Sequence, residues 1–239
     1  MRHKYKGLLR FKFNILPFLG ESKIGRHSIQ KLAQPHLHTR RPNGIEGSDQ
    51  GGKMSSELKG KRIAILATDG FEQSELTDPR KALTNAGATT VVIAPKGGEI
   101  KGWNKKDWGQ SVKVDLVLAD ANPNEYDALV LPGGVMNPDH LRMDPAAVNF
   151  VRQFVATGKT VAAICHGPWT LLEAGALKGK TVTSWPSLKT DIKNAGGNWV
   201  DQAVVTDGQF IFSRKPDDIP AFNKAIIEAM AHDREHAHA

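Results

Sequence analysis

A run of β-branched and small apolar residues, 160–164, stops abruptly at Cys-His-Gly-Pro (165–168). Such a run is typical of a strand buried on both faces, and the glycine and proline end it. Apolar residues at helical spacing resume at Trp169,. The sequence therefore predicts a sharp strand-to-helix turn whose corner carries the only cysteine of the 239-residue chain.

The remainder of the chain beyond residue 60 alternates strand patterns with helix patterns, which is typical of βαβ units around a parallel sheet. We predict an α/β fold of the flavodoxin-like type: a three-layer sandwich around a mostly parallel sheet, with a nucleophile elbow at Cys165 and a small surface hairpin. The predicted strands are 62–68, 89–94, 111–115, 128–131, 160–164, 181–184, 203–206 and 209–213, and the predicted helices are 72–86, 145–157, 169–174, 188–194 and 217–231.

Basic residues are concentrated at the amino-terminal end. Residues 1–53 contain eleven Lys and Arg against three acidic residues, a net charge of +8, so residues 54–239 carry −1 of the overall +7. A near-neutral body gives no electrostatic reason to expect a nucleic-acid partner. We predict a disordered or weakly structured basic extension at 1–56, one α/β domain at 57–232 and a His-rich tail at 233–239.

The basic extension has two readings. Residues 8–19 resemble a short targeting segment, whereas Met54-Ser55-Ser56 directly before the folded body indicates an upstream start codon assigned to the gene, and we favour the second,. The sequence contains no run of eighteen uncharged apolar residues, so no membrane partner is expected,. A single cysteine excludes an intramolecular disulfide framework and suits the cytoplasm.

The chemistry of Cys165 depends on its surroundings. Amide N–H groups at the start of the following helix would favour the thiolate and lower the pKa of the thiol, although a lone cysteine is also commonly buried and inert. Adjacent side chains on a tight turn usually point apart, so His166 needs an orienting carboxylate. Asp139 is a candidate for that carboxylate, and its alternative interpretation is an ordinary turn or N-cap residue.

Two further groups follow other predicted strands, and the carboxyl ends of parallel strands meet at one edge of the sheet. The amide groups of Gly133 and Gly134 can face a ligand and form an oxyanion hole, or they can belong to an ordinary turn. Glu72 begins a predicted helix, where it is either a favourable helix-end charge or a carboxyl held near the thiol. The residues alone leave these alternatives open.

Four segments together resemble the PfpI intracellular protease family, which includes bacterial general-stress proteins described as protein deglycases and belongs to the glutamine-amidotransferase-like superfamily. The resemblance covers residues 60–231 and rests on Phe-Glu-Gln-Ser-Glu-Leu (71–76), Val-Leu-Pro-Gly-Gly (130–134), Ala-Ile-Cys-His-Gly-Pro (163–168) and Asn-Ala-Gly-Gly-Asn-Trp-Val-Asp (194–201). No histidine lies between His166 and His232, which excludes a glutamine amidotransferase itself.

The resemblance implies a role for each site residue. Cys165 would be the nucleophile and His166 its base, oriented by Asp139 from a neighbouring subunit of a dimer or hexamer. Glu72 would hydrogen-bond the cysteine, while Gly134 and the amide of His166 would form the oxyanion hole. Trp185 and Trp108 would border the pocket.

These roles imply a cysteine-dependent hydrolase for stress protection, acting on α-oxoaldehydes or their early protein adducts. The alternatives are an intracellular cysteine peptidase and, in a different class, a non-catalytic redox sensor or chaperone that uses an oxidisable Cys165. No cofactor is expected, because no glycine fingerprint for phosphate opens the first helix. No metal is expected either, because the three histidines at 232, 236 and 238 cluster at the C-terminal end without a carboxylate or thiolate at fixed spacing,.

Overall fold

The centre of the fold is a seven-stranded sheet, seen in a computed structural model that describes residues 57–236, with side chains to residue 232. In chain order the strands are β1 (Arg62–Leu66), β2 (Phe71–Glu72), β3 (Thr89–Ala94), β4 (Glu99–Asn104), β5 (Asp107–Lys113), β6 (Leu116–Val117), β7 (Ala128–Leu131), β8 (Thr160–Ile164), β9 (Thr181–Val182), β10 (Asn198–Trp199), β11 (Val204–Asp207) and β12 (Phe210–Ser213). The main sheet has the order β11-β12-β8-β7-β1-β3-β6, and every neighbouring pair in it is parallel except β11 and β12.

Helices cover both faces of this sheet. They are α1 (Gln73–Asn85), α2 (Met136–Met143), α3 (Pro145–Ala156), α4 (Pro168–Glu173), α5 (Lys189–Asn194) and α6 (Ile219–His236). Alternate residues of β1 enter different cores: Ile63 and Ile65 pack with residues of α1 and α6, whereas Ala64 and Leu66 pack with residues of α3 and α4. Two cores on one sheet are the predicted three-layer α/β sandwich, which is confirmed.

The strands β7 and β8 lie in the middle of the sheet, and all of their residues are buried. Their continuous apolar sequences follow from this position, because helices shield both faces of a central parallel strand. The chain runs outward from β1 to β3 and β6 and then returns to β7 on the other side of β1. The reversal opens a crevice at the carboxyl ends of β1 and β7, where ligands bind in open α/β sheets.

The predicted surface hairpin is also present. Strands β4 and β5 pair antiparallel, with a register shift between Lys101 and Trp103, and β4 pairs with β2 just before α1. This pairing places the hairpin beside the crevice.

The short helix α2 is not among the helices predicted from the sequence. Asn137 is fully buried; its Oδ1 accepts a 2.8 Å hydrogen bond from the Thr68 amide, and its Nδ2 donates to the carbonyl oxygens of Pro132 and Gly133 at 2.9 and 3.1 Å. One side chain therefore joins the ends of β1 and β7 and fixes the Pro-Gly-Gly turn.

The predictions for residues 1–56 lie outside the described residues, as do residues 237–239 of the predicted tail at 233–239. Helix α6 continues through 233–236, so the first part of the predicted tail is helical. None of the helices within residues 57–236 combines the length and the apolar character that crossing a bilayer would need.

Candidate active site

The corner between β8 and α4 has the geometry of a nucleophile elbow. Cys165 adopts φ 61°, a left-handed conformation that few residues with a side chain adopt,. A Cβ on Gly167 would collide with the carbonyl oxygens of Leu131 and Ile164, so only glycine fits two positions after the cysteine. The predicted elbow is confirmed, and the strained cysteine lies at the crevice.

The elbow brings Cys165 and His166 together, contrary to the expectation that adjacent side chains on the turn diverge. The Sγ atom of Cys165 lies 3.2 Å from Nδ1 of His166. The left-handed backbone of the cysteine rotates its side chain out of the usual alternation, so the pair needs no third residue to bring it together.

The acid beside the cysteine is Glu75, so the assignment of this position to Glu72 is wrong. Oε2 of Glu75 accepts a 2.8 Å hydrogen bond from the amide of Gly133, and the carboxyl contacts the Cys165 thiol. The other oxygen, Oε1, is buried without a hydrogen-bond partner among the described residues.

Burial sets the protonation state of Glu75. The side chain is fully buried, and burial raises the pKa of its carboxyl from 4.5 to about 8, against the opposing effects of the hydrogen bonds from Gly133 and Cys165,. At neutral pH the carboxyl therefore carries a proton and can donate it to a group in front of the sulfur.

Glu72 lies outside this contact, at the N-cap position of α1. It is half-buried at the wall of the same crevice, and burial raises the pKa of its carboxyl. Glu72 belongs to β2 and is held by the hairpin, whereas Glu75 lies three residues into the helix and points toward the sheet. The first turn of α1 thus supplies one carboxyl to the crevice wall and another to the sulfur.

The predicted lowering of the thiol pKa is wrong for this structure. Burial raises the pKa of the Cys165 thiol and the Glu75 carboxyl raises it further, while amide hydrogen bonds from Gly134 and His166 lower it by less. Helix α4 has only six residues, and the cysteine precedes it with 6% of its surface exposed. The resting group is a thiol, which a base must deprotonate.

His166 is the base within reach of the sulfur. Burial lowers the pKa of its imidazole to about 4, so the ring is neutral at physiological pH and one nitrogen can accept a proton,. Its Nε2 lies 3.2 Å from Oγ of Ser187, a residue that the sequence analysis did not identify. The only sequence signal for Ser187 is its position two residues after Trp185.

Asp139 does not orient His166 within the chain. It lies exposed on α2, and among residues 57–232 it forms no ion pair with the imidazole. A role for Asp139 would need a second copy of the chain, as the family resemblance implies.

Two amide groups remain for an oxyanion. Gly134, with φ 79°, and His166 both direct their N–H groups at the sulfur of Cys165. The N–H of Gly133 is occupied by Glu75, so its assignment as an oxyanion donor is wrong. A negatively charged oxygen formed at the sulfur would meet two donors, which is the usual number for an oxyanion hole.

A pocket of about 290 Å³ opens over the sulfur. Its aromatic wall contains Trp185, which is 40% exposed and stacks on His166 at 6.0 Å between ring centroids. Trp103, and not the predicted Trp108, supplies the second aromatic side chain. Trp108 contacts Trp103 edge-to-face at 5.7 Å, next to the register shift of β4 and β5 between Lys101 and Trp103. The other lining residues are Glu72, Glu75, Lys105, Gly134, Val135, Cys165, His166 and Pro216.

The described residues contain no group of three or more His, Cys, Asp or Glu side chains that could hold a metal ion. His236 and His238 of the predicted tail lie outside the residues whose side chains are described.

Comparison with known proteins places this site in a family context. The sequence model of the DJ-1/PfpI family matches residues 61–229. The chain is similar to protein/nucleic acid deglycase 2 of Escherichia coli K12, with 43% identity over 172 residues that cover 71% of this chain and 98% of the relative. It is also 45% identical to general stress protein 18 of Bacillus subtilis over 170 residues, 70% of this chain and 96% of the relative.

A solved structure shows the same architecture. The crystal structure of Drosophila melanogaster DJ-1beta superposes with a TM-score of 0.65 at 30% identity and covers 72% of this chain and 90% of its own. The relatives therefore align with the folded body, and they extend over nearly their whole lengths.

Proposed function

The chain belongs to the DJ-1/PfpI family, and we propose that it is a cysteine-dependent hydrolase that converts α-oxoaldehydes, or their early adducts with proteins, to 2-hydroxy acids. One observation carries the proposal. The Cys165 thiol lies 3.2 Å from a neutral imidazole, beside a protonated carboxyl and in front of two amide donors. These parts suit the attack of a sulfur nucleophile on a carbonyl group. The similar Escherichia coli protein is named a deglycase.

The first step uses the imidazole and the two amide groups. His166 takes the thiol proton as Sγ bonds to the aldehyde carbon, and the electron pair of the C=O bond moves to oxygen. The amides of Gly134 and His166 stabilise this oxyanion, and losing one such donor typically costs about 3–4 kcal/mol of transition-state stabilisation. Proton transfer to the oxygen gives a hemithioacetal.

The second step moves a hydrogen within the substrate. His166, neutral again once the hemithioacetal has formed, takes the proton from the former aldehyde carbon while the neighbouring carbonyl oxygen is protonated, which gives an enediol. The proton on His166 then passes to the neighbouring carbon as the first hydroxyl group loses its proton, which yields a 2-hydroxyacyl thioester. The aldehyde is oxidised to the acid level while the ketone is reduced to an alcohol, so no external redox partner is needed. Glu75, which is protonated at neutral pH, can supply and recover protons at this position,.

Hydrolysis completes the cycle. Water cleaves the thioester, the sulfur regains a proton and the 2-hydroxy acid leaves; for methylglyoxal the acid is lactate. A pocket of about 290 Å³ with two tryptophan side chains fits a small dicarbonyl or a single modified side chain,. The proposal places the reaction in the cytoplasm, where a catalytic thiol stays reduced.

Assembly is part of the proposal. Val135 and Trp185 are large apolar residues on the rim of the pocket with 56% and 40% of their surface exposed, and Asp139 follows on α2. A second copy in a dimer or hexamer would cover these residues and place its own Asp139 near the site. Size-exclusion chromatography with light scattering tests this, and a strictly monomeric active protein would contradict it.

The proposed activity is tested by measuring lactate formation from methylglyoxal with wild type, Cys165→Ala and Cys165→Ser. Both variants should lose the activity, because no other thiol exists in the chain. Fluorescent casein serves as the parallel substrate, since a peptidase would use the same residues. Lactate formation that persists in Cys165→Ala rejects the mechanism, and casein cleavage without lactate formation favours the peptidase.

One observation favours a redox sensor as the second candidate. Glu75 is buried in contact with Cys165, and its Oε1 has no hydrogen-bond partner in the described part of the chain. Its protonated carboxyl can donate a hydrogen bond to an oxygen added to Cys165,. Mass spectrometry after mild peroxide treatment tests it. A sulfur that remains unmodified while methionines oxidise argues against sensing.

A further inference from the structure

Both ring nitrogens of His166 have a partner in the same chain. Nδ1 faces Sγ of Cys165 at 3.2 Å, and Nε2 faces Oγ of Ser187 at 3.2 Å. We propose that Ser187 is a positioning residue, whose hydroxyl holds the His166 ring in the tautomer that can accept the Cys165 proton. The inference rests on the proposed role of His166 as the base, and it concerns the contacts that one chain makes with the ring, in addition to the Asp139 that a second copy would bring near the site.

The segment that carries Ser187 is attached to the elbow. The Trp185 amide donates to the Cys165 carbonyl oxygen at 2.9 Å, and the Leu188 amide donates to the Trp185 carbonyl oxygen at 3.1 Å. Leu188 is fully buried, and residues 186–188 form a 3₁₀ turn that begins with proline. The Ser187 hydroxyl is thus exposed on a turn whose backbone is fixed relative to the cysteine.

The imidazole ring is held from its faces as well as its edges. Trp185 stacks on it at 6.0 Å and 26°, and Trp169 packs against it at 5.2 Å and 60°. These contacts restrict the ring plane, but they do not distinguish one nitrogen from the other. Only the groups at the ring edge can do so, and Ser187 is the group at Nε2.

A neutral imidazole carries one proton, and its position decides the function of the ring. Nδ1 can accept the thiol proton only when the ring proton is on Nε2, where it donates to Oγ of Ser187. After the transfer both nitrogens carry protons, and the Nε2–H bond to the hydroxyl remains. Ser187 therefore supports the ring before and after the transfer, in contrast to a group that would donate a hydrogen to Nε2.

A hydroxyl differs from a carboxylate in this position because it carries no charge. An aspartate at Nε2 would raise the pKa of His166, whereas the neutral serine hydroxyl can accept a hydrogen bond from Nε2–H without adding a charge,. The ionisable groups that share the pocket with the ring are Glu72, Glu75, Lys105 and Cys165, and Arg142 and Asp191 contact the outer side of Trp169.

The experiment measures alkylation of Cys165 by iodoacetamide from pH 5 to 10 in wild type, Ser187→Ala and Ser187→Thr. The single cysteine makes the rate specific to this sulfur. Ser187→Ala should slow the reaction at pH 7 by about 5- to 10-fold, the effect of one hydrogen bond, and should shift the pH profile upward by about 0.7–1 unit. Ser187→Thr, which keeps the hydroxyl, should stay within about twofold of wild type.

Thr190→Ala is the matched control, because Thr190 is an exposed hydroxyl residue at the start of α5 and does not line the pocket; its rate should equal that of wild type. Ser187 is itself exposed, so the alanine variant should fold normally,. Nitrogen-15 NMR at pH 7 gives the second readout, with the wild-type proton on Nε2 and mixed tautomers in Ser187→Ala.

Three outcomes overturn the proposal: a Ser187→Ala rate within twofold of wild type, a Ser187→Thr rate as low as that of Ser187→Ala, or a wild-type proton on Nδ1. Alkylation requires no knowledge of the substrate. Failure of the methylglyoxal assay would therefore leave this result intact, and failure here would leave the activity intact.

Discussion

The amide of Gly133 donates a 2.8 Å hydrogen bond to Oε2 of Glu75, which ties the carboxyl on α1 to the backbone that follows β7. A Cβ on Gly133 would lie 2.5 Å from Oε2 and 2.7 Å from Cβ of Cys165. The glycine therefore allows acid, turn and cysteine to pack at one point. The amide of Gly133 is thus bonded to the acid, and the amide of Gly134 is the one that faces the sulfur.

The two carboxyl groups at the start of α1 should differ in their effect on catalysis. Glu75→Gln keeps the shape but removes the transferable proton, and we expect kcat/KM for methylglyoxal to fall by about 10²-fold. Glu72→Gln is the matched control and should change kcat/KM by less than about threefold, because Glu72 forms only part of the pocket wall,. A larger fall of kcat/KM in Glu72→Gln than in Glu75→Gln would instead assign the acid role to Glu72.

Glu75 should also make stability depend on pH. The unfolded chain ionises this carboxyl near 4.5, whereas the folded protein keeps its proton up to about 8. Its contribution to stability is therefore fully present below pH 4.5 and is lost as the pH rises to about 8,. Wild type should lose stability relative to Glu75→Gln over this range, by an amount of the order of a few kcal/mol.

Urea unfolding at pH 5 and pH 8 measures this difference for both proteins. A constant gap between wild type and Glu75→Gln at the two pH values would mean that the folded carboxyl ionises at its ordinary pKa.

Sequence reasoning succeeded where one local pattern determines the result. The apolar run before Cys165 could only be a buried strand, and the small Gly167 allowed only a tight turn, so the elbow and the parallel sheet were predictable. The tandem glycines after β7 likewise indicated amide donors. Each of these conclusions needs only the residues within one turn or strand.

The errors arose where a small rotation decides which side chain enters the site. Glu72 and Glu75 lie one helical turn apart, and the exact start of α1 determines which of them faces the sulfur. In the β4–β5 hairpin, which has a register shift, Trp103 lines the pocket in place of the predicted Trp108. The thiol pKa was misjudged because burial depends on the whole pocket, and Ser187 was missed because its turn meets the elbow only after folding.

Gly134 allows a test of the oxyanion hole with an internal control. Gly134 and Gly158 have similar left-handed φ values, 79° and 74°, but a Cβ on Gly134 would collide with the backbone of Gly70 and Glu72, whereas Gly158 has open space. Gly158→Ala should cost about 1–2 kcal/mol of stability and leave activity unchanged.

Gly134→Ala should cost more stability, and it should lower kcat by about 10²-fold because the displaced backbone moves an amide away from the sulfur. Thermal unfolding and lactate formation measure the two effects. Equal kcat values for the two variants would show that the Gly134 amide does not stabilise the oxyanion.

His166 predicts the acid limb of the pH profile. Its pKa is lowered to about 4 by burial, so the ring stays a neutral base above that value and the activity should persist at pH 5.5,. We expect kcat/KM to fall with a midpoint near 4, measured where intrinsic fluorescence shows the protein to be folded. Ser187→Asp should move the midpoint upward, since a carboxylate stabilises the imidazolium. A wild-type midpoint between 6 and 7 would indicate an exposed or acid-paired histidine.

The two tryptophans of the β4–β5 hairpin should differ in their effect on substrate binding. Trp103 lines the pocket and donates from Nε1 to the carbonyl oxygen of Lys105 at 3.1 Å, whereas Trp108 lies outside the pocket lining and contacts Trp103 edge-to-face. Removing the Trp103 ring should raise KM for methylglyoxal by about tenfold, because one aromatic contact is worth about 0.5–1.5 kcal/mol beyond its buried area.

Trp103→Phe keeps an aromatic wall and should recover most of the affinity, while Trp108→Ala should change KM by less than about threefold because it removes only an outer neighbour. Steady-state kinetics on the three variants, with kcat and KM measured separately, decide between the two tryptophans. A larger increase of KM in Trp108→Ala than in Trp103→Ala would mean that the hairpin presents the opposite face to the substrate, and that the β-bulge between Lys101 and Trp103 is absent from the active protein.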